Sequence, residues 1–291
     1  MDPFPRGNWV PKLIVGMQTQ FTAYPEVNAV LDALLPKVQV ILGDEFVGLY
    51  LHGSLANGGF NPQTSDIDFL VVTGEQLPTG SFSALREMHT LLRSAGPMWA
   101  RKLEGAYIPR EGLRRHDHVR CLFPWLGTDG HFALEILGSD WIIQRWILRE
   151  KGIVIAGLPL KPMIDPIGAD DLREAVRRSL REWWSPPLPF PERFQRAEYQ
   201  AYAVLTMCRA LYMLEYACIA SKPRAAGWAL GTLGEPWSAL IEEALTWRPG
   251  LEFKQLEEVI SFIRFALEKW KLPASRNGIQ SSRPTLGGSN A

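Results

Sequence analysis

Apolar positions along the chain follow two different rhythms. Over residues 25–43 they recur at helical spacing, at Val27, Val30, Leu31, Leu34, Leu35 and Val38. Short apolar runs at 46–52 and 67–73 then read as buried strands. Ser81 to Ser94 reads as a helix with Ser81 or Ser83 as its cap, and 101–109 as a third strand. Val119–Phe123 and Phe132–Leu137 are strand-like, Asp140 to Lys151 is helical, and Gly157-Leu158-Pro159-Leu160 closes this part. From Asp165 the texture becomes helical. Asp170 to Trp184 carries Leu172, Ala175, Val176 and Leu180 on one face. Prolines 186, 187, 189 and 191 interrupt it, and a long helix is expected from about Glu192 to Ala220. Leu256, Val259, Ile260, Ile263, Ala266, Leu267 and Trp270 form one more amphipathic stripe. The pattern predicts an α/β unit over 25–160 and an all-α helical bundle over 161–272, with a cleft between them. An unassigned extension over 1–24 precedes them, and a Ser/Gly-rich tail over 273–291 is expected to be disordered.

Charge narrows the partners. Lys and Arg total 31 against 31 Asp and Glu, so the basic surplus of a typical nucleic-acid binder is missing and a polynucleotide substrate is disfavoured. Three cysteines, Cys121, Cys208 and Cys218, show no Cys-x-x-Cys and suggest free thiols in a reducing cytoplasm. The N-terminus shows no signal-peptide pattern and no run of about eighteen apolar residues marks a membrane span, so a cytoplasmic protein is expected.

The chemistry concentrates in Leu49-Tyr50-Leu51-His52-Gly53-Ser54 and Ser65-Asp66-Ile67-Asp68-Phe69. Residues i and i+2 of a strand share a face, so Asp66 and Asp68 project together while Ile67 and Phe69 face a core. Two carboxylates on one face call for a cation between them, and Mg²⁺ takes one or two carboxylates plus substrate phosphates. Gly53 lets the backbone turn and approach a ligand, and Ser54 is expected to cap Leu55-Ala56-Asn57 so that N–H groups face an anion. A lone Asp-x-Asp is usually a solvated strand end and a lone Gly-Ser a plain turn. Their combination, strand–turn–strand, is what specifies a metal–triphosphate site.

This pattern resembles the signature of the polymerase-β-type nucleotidyltransferase superfamily. The chain is more narrowly similar to the streptomycin–spectinomycin adenylyltransferases, from about Val27 to about Lys271. Lys102-Leu103-Glu104-Gly105-Ala106-Tyr107-Ile108, Trp184-Ser185-Pro186-Pro187, Leu205-Thr206-Met207-Cys208-Arg209 and Ile219 to Ala229 carry that likeness. It implies a mixed-sheet nucleotidyltransferase domain followed by the helical domain. The implied reaction is transfer of AMP from ATP to a hydroxyl of a small aminoglycoside acceptor, with release of pyrophosphate. By the same resemblance Asp66 and Asp68 hold Mg²⁺, two ions being expected. Gly53, Ser54 and Ser65 contact the nucleotide, as do Arg209 and Lys222 from the helical domain. Glu104 matches the catalytic base and also touches a metal, a reading preferred to that of an exposed strand glutamate paired with Lys102 or Arg101. Trp183 matches a drug-stacking position, with Trp184 beside it, and either can instead be a core residue. Leu188 stands where the family places an aspartate for drug recognition, Pro189–Arg193 is inserted, and Glu198 is a candidate substitute for a second aspartate. His116-Asp117-His118 reads as a polar loop or surface pair in preference to a metal motif, and His52 as a locally packed residue. No nucleic acid or membrane partner is expected, and a monomer is favoured. The competing readings are a non-catalytic, antitoxin-like nucleotide-binding module and a nucleotidyltransferase with another acceptor.

Overall fold

The computed structural model describes residues 20–115, 122–185 and 191–269. Helix α1 (Pro25–Leu42) leads into β1 (Phe46–Leu51), the short turn of helix α2 (Gly53–Ala56) and β2 (Ile67–Thr73). Then follow α3 (Thr79–Ala95), β3 (Leu103–Pro109), α4 (Arg110–Arg114), β4 (Leu122–Leu126), β5 (Phe132–Ile136), α5 (Asp140–Lys151) and β6 (Ile153–Gly157). The strands form one sheet in the order β5-β4-β3-β2-β1-β6. Only β2 and β3 are parallel, and the other neighbours are antiparallel. The helical part consists of α6 (Ala169–Trp183), α7 (Ala197–Tyr216), α8 (Lys222–Leu233), α9 (Trp237–Thr246) and α10 (Leu256–Lys269).

Alternation along the strands assigns the two faces of the sheet. Leu49, Leu51, Ile67, Phe69, Val71, Leu103 and Tyr107 pack on one side with Val27, Leu31 and Leu34 of α1 and Leu85 and Leu92 of α3. Tyr50, Leu70, Val72, Ala106 and Ile108 pack on the other with Trp141 and Leu148 of α5. A third cluster unites α6 to α10, and Ile147 of α5 belongs to it. Helix α5 therefore contributes to two cores at once and ties the sheet to the helical part.

Several boundaries differ from the sequence expectation. Helix α3 begins at Thr79 after Pro78, with no side-chain cap, so neither Ser81 nor Ser83 starts it. Pro78 fixes its own φ near the value needed at a helix entry, and the residues after it continue the turn. β4 extends to Leu126, while Val119–Cys121 and His116–His118 lie outside the described residues. The edge strand β6 was not anticipated, nor were α8 and α9. The long helix expected over 192–220 is a 3₁₀ turn, Pro191–Gln195, followed by α7, which stops where Ala217 adopts φ 48 and ψ 38. Left-handed alanine costs roughly 1–2 kcal/mol, so no glycine or asparagine announced this end.

The first core encloses a titratable group. His89 of α3 is buried, its Nε2 lies 2.7 Å from the Tyr107 hydroxyl, and it packs between Phe69 and Phe132. Burial holds its imidazole down at about 3. An unfolded histidine titrates near ~6.5, so acid protonates the unfolded chain first, and this contribution to stability is lost as pH falls through that window. His89→Phe is expected to flatten the acid limb of urea-unfolding stability by about 1.4 kcal/mol per pH unit between about pH 6 and 4. Parallel pH profiles for variant and wild type would remove His89 as the cause.

Candidate active site

The parallel register of β2 and β3 places Asp68 directly opposite Glu104. Gly105 makes that pairing possible, because a Cβ there would lie 2.2 Å from the Phe69 carbonyl oxygen. Asp66 precedes β2 by one residue and shares the face of Asp68. The result is three carboxylates at one end of the sheet, on the side of α5. Burial first and then the Asp68 charge push Asp66 up to about 6, against the Lys102 and Lys222 ammoniums. Glu104 is pushed up to about 8 by burial first and then by Asp68 and Asp66, with Asp129 and Asp140 adding to the repulsion. Neither alternative partner holds Glu104. Lys102 Nζ donates to the carbonyls of Pro62 at 2.7 Å and Ser65 at 3.3 Å. Arg101 Nε reaches the carbonyl of Arg93.

The turn after β1 closes over this cluster. The His52 amide donates to the Asp68 carbonyl at 3.0 Å, and Gly53 follows with φ +58. A Cβ on Gly53 would sit 1.9 Å from Asp68 Oδ2, so only glycine lets the backbone come this close to the carboxylate. Ser54 does not cap α2 as expected: it is the second residue of that turn, and His52 occupies the capping position. Its Oγ is buried with no hydrogen-bond partner among the described residues. Ser65 closes its own loop, its Oγ accepting from the Asn61 amide at 2.9 Å. His52 is buried, with Nδ1 3.2 Å from Gln144 Oε1 and its ring near Trp141, as its local-packing role requires.

Among the described residues no three His, Cys, Asp or Glu side chains close into a ready-made metal cage. Mg²⁺ binds through one or two carboxylates and fills its other positions with phosphates and water. The glycine cradle against Asp68, the orphaned Ser54 hydroxyl and the mutual repulsion of Asp66, Asp68 and Glu104 together fit a divalent cation carrying a phosphate chain.

The helical part faces this cluster with positive charge. Lys222 opens α8, and burial and the neighbouring Arg209 press its ammonium down to about 8, while Asp66, Asp68 and Glu198 oppose them. Arg209, on α7, is near enough for its charge to act on Lys222. The approach of the two parts is close: a Cβ on Gly59 would meet Ser221 Cβ at 2.7 Å.

Beside Glu104 the surroundings turn acidic and aromatic. Trp184 is 6% exposed and packs with Phe194 and Tyr199, so it is the core residue of the pair. Trp183 is 41% exposed at the end of α6, next to Gly138. Glu198 pairs with Arg196 at 2.6 Å and keeps 62% of its side chain exposed. Leu188 lies outside the described residues. Sequence reasoning missed Asp140, Glu182 and Tyr202. Asp140 is pushed up to about 6 by burial and by Glu182, which accepts hydrogen bonds from Ser139 Oγ at 2.7 Å and from its amide at 3.1 Å. An aspartate opening a helix reads as a complement to the helix dipole, so its position in the sequence carries no distinct signal. Tyr202 of α7 lies within electrostatic reach of Arg209, Glu104 and Asp140.

Comparison with known proteins agrees with this geometry. The model of the aminoglycoside adenylyltransferase C-terminal domain matches residues 162–269, and that of the nucleotidyltransferase domain matches residues 36–104. An aminoglycoside (3'') (9) adenylyltransferase of Shigella flexneri is 27% identical over 263 residues, covering 84% of this chain and 96% of the relative. A spectinomycin 9-adenylyltransferase of Campylobacter jejuni is 26% identical over 267 residues, covering 81% and 96%. The fold is that of a spectinomycin adenyltransferase from Enterococcus faecialis solved with ATP and spectinomycin. The TM-score is 0.66 at 20% identity, over 84% of this chain and 98% of that one. With one domain model matched on each side of the cleft, and relatives aligned across both, this chain is a nucleotidyltransferase similar along its length to the aminoglycoside adenylyltransferases.

Proposed function

We propose that the chain transfers AMP from Mg–ATP to a hydroxyl of a small cationic acceptor of the aminoglycoside type and releases pyrophosphate. The observation that carries this reading is the Asp68–Glu104 register, set beneath the Gly53–Ser54 turn and opposite Lys222. The sequence similarity to adenylyltransferases supports the donor and the acceptor class.

Asp66 and Asp68 would hold Mg²⁺, with Glu104 close enough to share it. When bound, the metal supplies positive charge to the triphosphate and to the attacking and leaving oxygens. The Gly53 and Ser54 backbone and the Ser54 hydroxyl receive the outer phosphates, and Ser65 shapes the loop that presents Asp66. Lys222 and Arg209 meet the phosphates from the helical side. Glu104 accepts the proton of the acceptor hydroxyl as its oxygen bonds to the α-phosphorus. The bond from that phosphorus to the oxygen bridging the β-phosphorus breaks, and pyrophosphate departs. Little covalent chemistry falls to the protein, so positioning and charge supply most of the rate.

The acceptor end favours a cation. Asp129, Asp140 and Glu182 lie around or beyond Glu104, Glu198 is exposed on the α7 side, and the exposed Trp183 face offers a surface for a sugar ring. Trp183 and Glu198 are the two of these residues that we assign to acceptor binding.

Three outcomes test the reading. Pyrophosphate release with ATP, Mg²⁺ and a panel of aminoglycosides is expected for at least one streptomycin- or spectinomycin-type acceptor; ATP binding without release for any member would refute the drug-modifying function. Glu104→Gln is expected to lower kcat by ~10²–10⁴-fold while Mg–ATP affinity stays within a few fold. Unchanged kcat would exclude Glu104 as the base. Asp66→Asn is expected to weaken Mg–ATP binding in calorimetry by roughly tenfold or more, and no change would contradict its metal role.

A further inference from the structure

Lys222 occupies a position that opposes its charge. It is the first residue of α8, at the positive end of the helix dipole, and Arg209 lies beside it. Its ammonium makes no hydrogen bond or ion pair among the described residues. Lysine carries a flexible four-carbon stem, so an unanchored ammonium would not hold one direction across the cleft. The group it does contact is an aromatic ring. Lys222 Nζ lies 4.7 Å from the centroid of Tyr202, within cation–π range.

Tyr202 is itself well held. It packs on Trp184 at 6.2 Å and on Tyr199 at 5.7 Å between ring centroids, and Trp184 is anchored in the helical core. Yet Tyr202 stays 41% exposed, an unusual amount of open aromatic surface for a residue packed on a core cluster. The charges within its reach are those of Arg209, Glu104 and Asp140.

We propose that Tyr202 is a positioning residue for nucleotide binding: its ring face is the platform that holds the Lys222 ammonium over Asp66 and Asp68. The proposal rests on the nucleotide reading above and adds what orients that lysine. The ring acts through its face and not its hydroxyl, which makes the role separable by substitution. It also places one residue at the boundary between the nucleotide and acceptor halves of the cleft, so acceptor and ATP share a wall.

The test is Mg–ATP affinity by calorimetry, in the full chain, for wild type, Tyr202→Leu, Tyr202→Phe, Lys222→Met and the Tyr202→Leu/Lys222→Met double variant. Tyr202→Leu is expected to weaken binding roughly tenfold, and Tyr202→Phe to recover most of that loss. The double variant is expected to bind no more weakly than Lys222→Met, because the two changes remove one interaction. Equal loss in Phe and Leu would assign the effect to the hydroxyl and overturn the proposal. So would additive losses in the double variant, which also exposes a merely structural effect of Leu, or unchanged affinity in Tyr202→Leu. Failure of the wild type to bind Mg–ATP would instead overturn the nucleotide reading, and this proposal with it.

Discussion

Everything in this site depends on one electrostatic conflict. Parallel pairing of β2 and β3 sets Asp68 opposite Glu104, and strand alternation adds Asp66 on the same face. Burial and the neighbouring carboxylates raise the proton affinity of Asp66 and Glu104, and Glu104 goes as high as about 8. A folded chain keeps such an arrangement only if something positive completes it. Lys222 answers part of the charge from across the cleft, and the remainder is a demand for cations that a metal–nucleotide meets.

The rest of the architecture is what keeps the conflict in place. Gly105 lets β3 approach β2, and Gly53 lets the turn approach Asp68. In each case a methyl group would collide with the atom it must sit beside. Helix α5 inserts Trp141 and Leu148 under the sheet and Ile147 into the helical core, so both walls of the cleft are referenced to one rigid element. The contact between Gly59 and Ser221 brings the phosphate turn against the start of α8, one residue before Lys222. The side we propose for the acceptor is built from the same pieces. Asp140 and Trp183 stand at opposite ends of α5 and α6, and Ser139 binds Glu182 across them.

The site was more legible in the sequence than the bundle around it. Gly53, Ser54, Asp66 and Asp68 are close in the chain, so local rules place them, whereas Glu104 was singled out by resemblance and meets Asp68 only through the β2–β3 pairing. Long-range partners escaped those rules. Tyr202 and Asp140 reach Glu104 only through tertiary packing. Helix α8 is rich in alanine and glycine, with a weak apolar stripe, and α7 ends at an alanine forced into a left-handed conformation. Strand β6 is a five-residue edge strand directly after a helix, too short for its alternation to stand out. The choice between Trp183 and Trp184 could not be read from adjacent residues on one helix end, because the direction of the bundle core decides it.

The central claim is that crowded carboxylates are poised for the metal ions that accompany a bound nucleotide. The most direct measurement is a ¹³C NMR titration of the Glu104 side-chain carboxyl, in the free protein and with Mg²⁺ and a non-hydrolysable ATP analogue. The account predicts a transition near 8 in the free protein. Ligand is predicted to move it down by roughly 1–3 pH units as positive charge enters the site. A free-protein transition near the ordinary glutamate value of about 4.3, or one that Mg²⁺ and the analogue leave unmoved, would contradict it.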